Sequence, residues 1–344
     1  MANKRVTMQD IADACGLSRN TVSKVFNGRG AVPQATRAII LKKAEELGYG
    51  APVESALQYV SQPGGSIALL TNRLPKDAHF GTFFVTTFTD QISRAGYTLK
   101  IFEISEEELM QKKLPPHFIS EQTAGIVGIE LFDAGYLSMI CELNIPTIFI
   151  DSPPHASTSV MNCDFVSMEN LAAVFDMVGR LARLGAKRIG FVGDIDHCGS
   201  FYERWIGFCM SLSQWGLAQD DTICILAPDD SPYHDPEWLL QQIQRMDPLP
   251  DAFVCANDYL AIHLMAALKK KGLVIPDDVM ITGFDGTSQS ALVEPPLTTA
   301  QIPGVEIGRI AADILLARIA NPAMPYTWTR VKSTPVWRAS IRRQ

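Results

Sequence analysis

The chain has 344 residues with 30 Lys plus Arg, 37 Asp plus Glu, 47% hydrophobic and 8% aromatic content, the composition of a globular protein of two or three domains. No apolar run approaches the roughly 18–20 residues of a membrane span, and the opening MANKRVTMQDIADACG has no apolar core for a secretory signal. A cytoplasmic protein is therefore expected. The seven cysteines are odd in number, scattered and never spaced CxxC, so reduced thiols are expected, with no disulfide framework, no metal site and no cofactor.

Charge is unevenly spread. Residues 1–49 carry eight basic and four acidic side chains, net +4, whereas the rest of the chain carries 22 basic and 33 acidic, net −11. A small basic head on an acidic body suits an anionic partner for the head.

In that head, Thr7 caps a short helix whose Ile11 and Ala14 face inward, with Ala12 small enough for close helix approach, and Gly16 breaks it. Ser18 caps a second helix, RNTVSKVF, whose Val22, Val25 and Phe26 form one apolar face. Helix, tight turn, helix is the helix-turn-helix pattern, with Arg19, Asn20 and Lys24 off the apolar face near the start of the second helix. In a DNA major groove that end meets base edges, Arg suiting guanine and Asn suiting adenine. A third helix opens at Pro33, buries Ile40, Ala44 and Leu47, and stops at Gly48.

The segment VTMQDIADACGLSRNTVSKVFNGRGAVPQATRAIILKKAEELGY resembles the DNA-binding head of the LacI/GalR family of bacterial regulators. The resemblance implies a DNA-facing set of Thr7, Ser18, Arg19, Asn20, Thr21, Ser23, Lys24 and Asn27. It divides the chain into a head at 1–49, a hinge at 50–65 and a body at 66–344. In the family the hinge folds on DNA and wedges a leucine into the minor groove, and Leu57 is the candidate here. The hinge GAPVESALQYVSQPGG departs from the pattern: the usual leucine position holds Gln58, the Ala-Arg pair is absent, and Glu54 adds a charge that phosphates repel.

From Ser66, apolar runs alternate with helical patterns: IALLT, YTLKIFEI, GIVGIEL and IPTIFID, then MNCDF with a helix from Ser167, RIGFVG, ICILAP, AFVCAN and VMITGFD. LTTAQI, a helix near 305–320 and TRVKSTPVW follow. The pattern predicts two doubly wound parallel α/β units. It resembles the two-lobed, periplasmic-binding-protein-like ligand domain of the same family, with chain crossings expected near Cys163, Glu294 and Tyr326.

Ligands of open α/β sheets bind beyond the carboxyl ends of the strands, which here are Asn72, Glu130, Asp151, Asp164, Asn257 and Asp285; Ser200 and Arg204 follow another strand end. The resemblance implies that Arg204 clasps an effector, with Ser200, Asn257 and Asp285 beside it and Asn72, Asp151 and Asp164 at less regular positions. Phe80 resembles a ring-stacking aromatic, with His79 and Phe84 as alternatives. Such a set suits a hydroxylated ring, and nucleobases fit as well. Asn257, Asp258 and Asp285 equally suit helix caps, and Arg204 suits a pair with Asp194 or Asp196. Tyr233 and Trp238 suit either the cleft or the core. Asp229-Asp230 reads as a solvated turn, and the six histidines lack metal spacing.

The function expected is a homodimeric, sequence-specific DNA-binding regulator, a repressor reading a near-palindromic operator under control of a sugar-like effector. A nucleobase effector, a protein partner and an α/β enzyme are the alternatives. Against the enzyme, GxGxxG, GxxxxGK[ST] and GxSxG are all missing. A free-standing solute-binding protein would have no use for the basic head.

Overall fold

The computed structural model describes residues 6–27, 34–47, 49, 65–72, 80–155 and 157–343. The head consists of α1 (Met8–Cys15), α2 (Arg19–Asn27) and α3 (Gln34–Glu46). Thr7 caps α1 in a reciprocal box with Asp10, so two otherwise orphan backbone donors are satisfied. Gly16 ends α1 at φ 66°, a left-handed conformation that costs glycine nothing. Ile11, Ala12, Val22, Val25, Ile40 and Ala44 form the head's core, and Phe26 meets Tyr49 at 5.3 Å between ring centroids. Two expected core positions are corrected. Ala14 and Leu47 are exposed, because Ile11 and Ala12 already fill the inner face of α1 and Tyr49 covers the end of α3. Pro33 and Gly48 lie outside the described residues.

The body is built on two parallel sheets. The first has six strands in the order β10 (Trp328–Val331), β5 (Asp164–Met168), β4 (Thr147–Ile150), β3 (Thr123–Ile129), β1 (Ser66–Thr71), β2 (Thr98–Glu103). Interspersed in sequence are α4 (Phe80–Arg94), α5 (Glu106–Gln111) and α6 (Ala134–Glu142). Strands β1, β4 and β5 are buried at every position, which is why β1 and β4 read as near-continuous apolar runs rather than alternating ones, while β5 also buries the polar Asp164 and Ser167. Phe149, Phe165, Tyr136 and Leu70 lie in one cluster of this core, each fully buried side chain of this size contributing roughly 1.5–3 kcal/mol.

The second sheet pairs β6 (Ile189–Val192), β7 (Ala252–Cys255) and β8 (Met280–Thr282) in parallel. Its helices are α7 (Leu171–Arg183), α8 (Gly199–Gln214), α9 (Pro236–Gln244), α10 (Asp258–Lys270) and the short α11 (Ser288–Leu292). Strands β9 (Thr299–Gln301) and β11 (Thr334–Val336) form an antiparallel pair beside it, whereas α12 (Gly304–Ala320) packs on β3, β4 and β5 of the first lobe.

The chain therefore passes between lobes at 169–170, 302–303 and 332–333, each later than expected. MNCDF does not open the second lobe: Asp164–Met168 is a strand of the first sheet, α7 starts at Leu171 instead of Ser167, and the first crossing follows the strand. TRVKSTPVW splits, its first half pairing with β5 and its second with β9, so that crossing falls inside the run. Thr298 still bridges to Thr282 of the second lobe, which moves the middle crossing past Glu294. ICILAP contributes only a single bridge, Ile225 to Val192.

Candidate functional site

On the head, Arg19, Asn20 and Lys24 project from the exposed side of α2, opposite Val22 and Val25. Among the described residues none of the three is held by a side-chain hydrogen bond. The Ser18 hydroxyl accepts from the Thr21 amide at 3.1 Å and lies 2.8 Å from the Thr21 hydroxyl, so these two groups start the helix and sit beside the basic surface. The Thr7 hydroxyl donates to Asp10 at 2.7 Å. Ser23 is half-buried. Leu57 lies outside the described residues, as do the side chains of Asn27 and Phe80.

In the body a cavity of about 600 Å³ opens between the lobes. It is lined by the carboxyl ends of strands from both: Glu130 after β3, Asp151 after β4 and Met168 of β5 from the first lobe, Asn257 after β7 and Asp285 beyond β8 from the second. Ser200, Phe201 and Arg204 come from the first turns of α8, and Phe84 from α4.

Arg204 is 2% exposed yet reaches the cavity wall. Its Nε donates to Asn170 Oδ1 at 3.0 Å, and its Nη1 donates to the Ala256 carbonyl at 2.6 Å and lies 3.7 Å from Asp285 Oδ1. The guanidinium carbon sits 3.7 Å from the centroid of Phe284, a cation–π contact shielded from water. The partner is thus Asp285, not Asp194 or Asp196. Burial pushes the Asp285 carboxyl up to about 8, against the pull of Arg204 and with added repulsion from Asp258 and Glu130. Burial thus favours the neutral carboxyl, which can donate as well as accept a hydrogen bond.

Asn257 caps α10, its Oδ1 accepting from the Leu260 amide at 2.9 Å, and lines the cavity as well. Asp258 is structural: it accepts from Thr299 Oγ1 at 2.6 Å and from the Thr287 amide at 2.8 Å. Asp151 bridges the lobes, accepting from Ser152 N at 2.7 Å and from Ser200 N at 3.3 Å. Beside it the Gly199 amide donates to the Ser152 carbonyl at 2.7 Å, and His155 Nε2 lies 2.6 Å from Asp196 Oδ1.

Asp151, Ser200, Arg204, Asn257 and Asp285 are brought together at the cavity. Asn72 and Asp164 are not among its lining. Asp164 opens β5 instead of ending a strand, so it lies at the far end from the cleft, in a buried bidentate pair with Arg318 (2.9 and 3.0 Å) and accepting from Thr327 N at 2.8 Å. Asn72 follows β1 but donates to Glu106 at 3.3 Å. Asp229-Asp230 is a turn with Asp230 exposed, and it also lines the cavity, with Asp229 3.7 Å from His197 Nδ1. Tyr233 lines it too, its hydroxyl donating to the Ala227 carbonyl at 2.7 Å, while Trp238 packs against Tyr233 at 5.1 Å. Sequence reasoning missed Phe132 and His197, whose rings meet at 5.2 Å across the cleft, and Asn170, which carries no motif. For Phe132 and His197 a usable signal existed, since both follow strand ends by a few residues.

Fold and cavity together define a helix-turn-helix DNA-binding head on a two-lobed, periplasmic-binding-protein-like body. Residues 7–51 match the model of bacterial regulatory proteins of the lacI family, and residues 178–341 match the periplasmic binding protein-like domain. The chain thus carries a lacI-family helix-turn-helix domain and a periplasmic-binding-protein-like domain, and its homologues are transcriptional regulators, not enzymes. It is 26% identical over 346 residues to the HTH-type transcriptional regulator GalR of Lacticaseibacillus casei, covering 97% of this chain and 99% of that protein. It is 27% identical over 313 residues to the HTH-type transcriptional repressor CytR of Escherichia coli strain K12, covering 90% of this chain and 89% of that one. The structure of a transcriptional regulator CelR–cellobiose complex superposes with a TM-score of 0.71 at 22% identity, covering 98% of this chain and 100% of that one.

Proposed function

We propose that the protein is a homodimeric repressor whose operator affinity is set by an uncharged, hydroxylated small molecule, a sugar or sugar derivative, held between the lobes. The observation that carries this reading is the buried pair of Arg204 and Asp285 at the cavity wall, where burial raises the carboxyl toward its neutral form. A sugar hydroxyl needs both a donor and an acceptor, and Arg204, Asn257, Asp151 and Asp285 supply both within one wall. A solved structure of the same fold holds cellobiose, which favours the sugar class. The Phe132–His197 pair favours a second reading, a nucleobase stacked on that wall. In the head, Arg19, Asn20 and Lys24 read base edges, with Thr7, Ser18, Thr21, Ser23 and Asn27 beside them and Leu57 in the hinge. Effector binding changes the angle between lobes, a coupling of typically 1–3 kcal/mol.

The test has two arms. Thermal shift of the full chain against sugars, sugar phosphates and nucleosides is expected to give a hit that is lost in Arg204→Ala, since binding only the folded state stabilises it by about 2.7 kcal/mol at 100 times Kd. A hit that survives Arg204→Ala defeats the cavity assignment. Selection of duplexes from a random pool is expected to yield a near-palindrome bound by the parent protein and not by Arg19→Ala or Lys24→Ala. Unchanged affinity in both variants defeats the head assignment.

A further inference from the structure

The cavity's central cation is held by a side chain that lies outside it. Asn170 is 1% exposed and sits at the first crossing between lobes, after β5 and before α7. Its Oδ1 accepts from Arg204 Nε at 3.0 Å. Its Nδ2 faces acceptors only: the Met168 carbonyl at 3.0 Å, Glu203 Oε2 at 2.9 Å and Ser200 Oγ at 3.2 Å. The Ser200 hydroxyl spends its own proton on Met168 Sδ at 3.1 Å, which leaves its lone pairs for the amide. Glu203 also accepts from Arg330 of β10, two residues before the third crossing.

The polarity of this cluster fits one residue type. Arg204 Nε is a donor and nothing else, while a carbonyl and a carboxylate accept and nothing else. A flipped amide would set nitrogen against nitrogen and oxygen against oxygen. Aspartate could serve Arg204 but not Met168 or Glu203, and an aliphatic side chain would strand a buried guanidinium nitrogen.

We propose that Asn170 is the positioning residue of the cavity: it fixes the plane of the Arg204 guanidinium and ties that plane to the chain crossing at 169–170. Arg204 can then present a correctly aimed group only when the crossing holds the geometry seen here, so the angle between lobes and the readiness of the site are one variable. The assignment rests on Arg204 being the ligand-clasping group of the proposed function.

The test needs no ligand. In full-length protein labelled at arginine, the Arg204 Nε–H signal, identified by its loss in Arg204→Lys, is followed for solvent exchange by NMR. Exchange is expected to be slow in the parent protein, about tenfold faster in Asn170→Ala, and restored toward the parent rate in Asn170→Asp, which keeps the acceptor. A folded Asn170→Ala protein with unchanged Arg204 exchange overturns the proposal, and so does Asn170→Asp exchanging as fast as Asn170→Ala. Should Asn170→Ala fail to fold, Asn170→Asp and Asn170→Ser provide the same contrast, serine being too short to reach Nε and so expected to exchange fast; equal rates in those two overturn the proposal. If the compound screen finds no ligand while this exchange pattern holds, the ligand reading fails and the positioning role stands.

Discussion

Asp285→Asn removes one titratable proton at nearly constant shape. In the folded protein burial pushes the Asp285 carboxyl up to about 8, while in the unfolded chain it returns to about 3.9. Between those values the folded state holds a proton that the unfolded chain has released, so stability falls as pH rises. The contribution is fully present below about pH 4 and is lost progressively up to about pH 8, at about 1.4 kcal/mol per pH unit. From pH 5 to pH 7 the parent protein loses about 2.7 kcal/mol through this group alone, on the order of 5–10 °C in Tm. The Asp285→Asn protein lacks this dependence. Calorimetry at pH 5, 6, 7 and 8 and constant ionic strength is therefore expected to show the variant gaining steadily on the parent. A Tm difference that does not change with pH would refute the reasoning: Asp285 would then be ionised throughout, and its role as a hydrogen-bond donor would go with it.

Three further outcomes follow from geometry. Arg318→Met leaves Asp164 buried without its bidentate partner and is expected to cost about 3–5 kcal/mol in urea unfolding, whereas a loss below about 1 kcal/mol would show that Thr327 alone satisfies the carboxylate. A Cβ at Gly199 would collide with Ser152 Oγ and stand 3.1 Å from the Ser152 carbonyl, so Gly199→Ala is expected to prise the lobes apart on that edge. Hydrogen exchange at residue 199 should rise and the radius of gyration in X-ray scattering should grow; parent-like values for both would count against this contact. Gly16→Ala has open space around its Cβ but a φ of +66°, so only backbone strain is expected, about 1–2 kcal/mol, read as a lower melting point of the head by circular dichroism. A loss above about 3 kcal/mol would mean that packing, not strain, sets that turn.

The three-helix head was legible residue by residue where local chemistry decides: the Thr7 and Ser18 caps, the Gly16 break, and the apolar face of Val22 and Val25. The alternation of α and β in the body was legible too, because fully buried parallel strands must be continuous apolar runs. Of the cleft, the rule that strand ends line the site found Asp151, Asn257 and Asp285. The same rule failed for Asp164, since the mixed run MNCDF does not say whether Asp164 begins or ends its strand.

Taken alone, then, the sequence determined the element types, the exposed basic side of the head's second helix and the resemblance to the family, all of which depend on neighbours within a few turns or on a pattern along the chain. Only the tertiary structure decided which sheet each short strand joins, where the three crossings fall, that Asp285 and not Asp194 meets Arg204, and that Asn170 holds it. Those outcomes depend on pairing between segments from sixteen to more than a hundred and sixty residues apart, on burial that raises a carboxyl, and on which end of a strand faces the cleft.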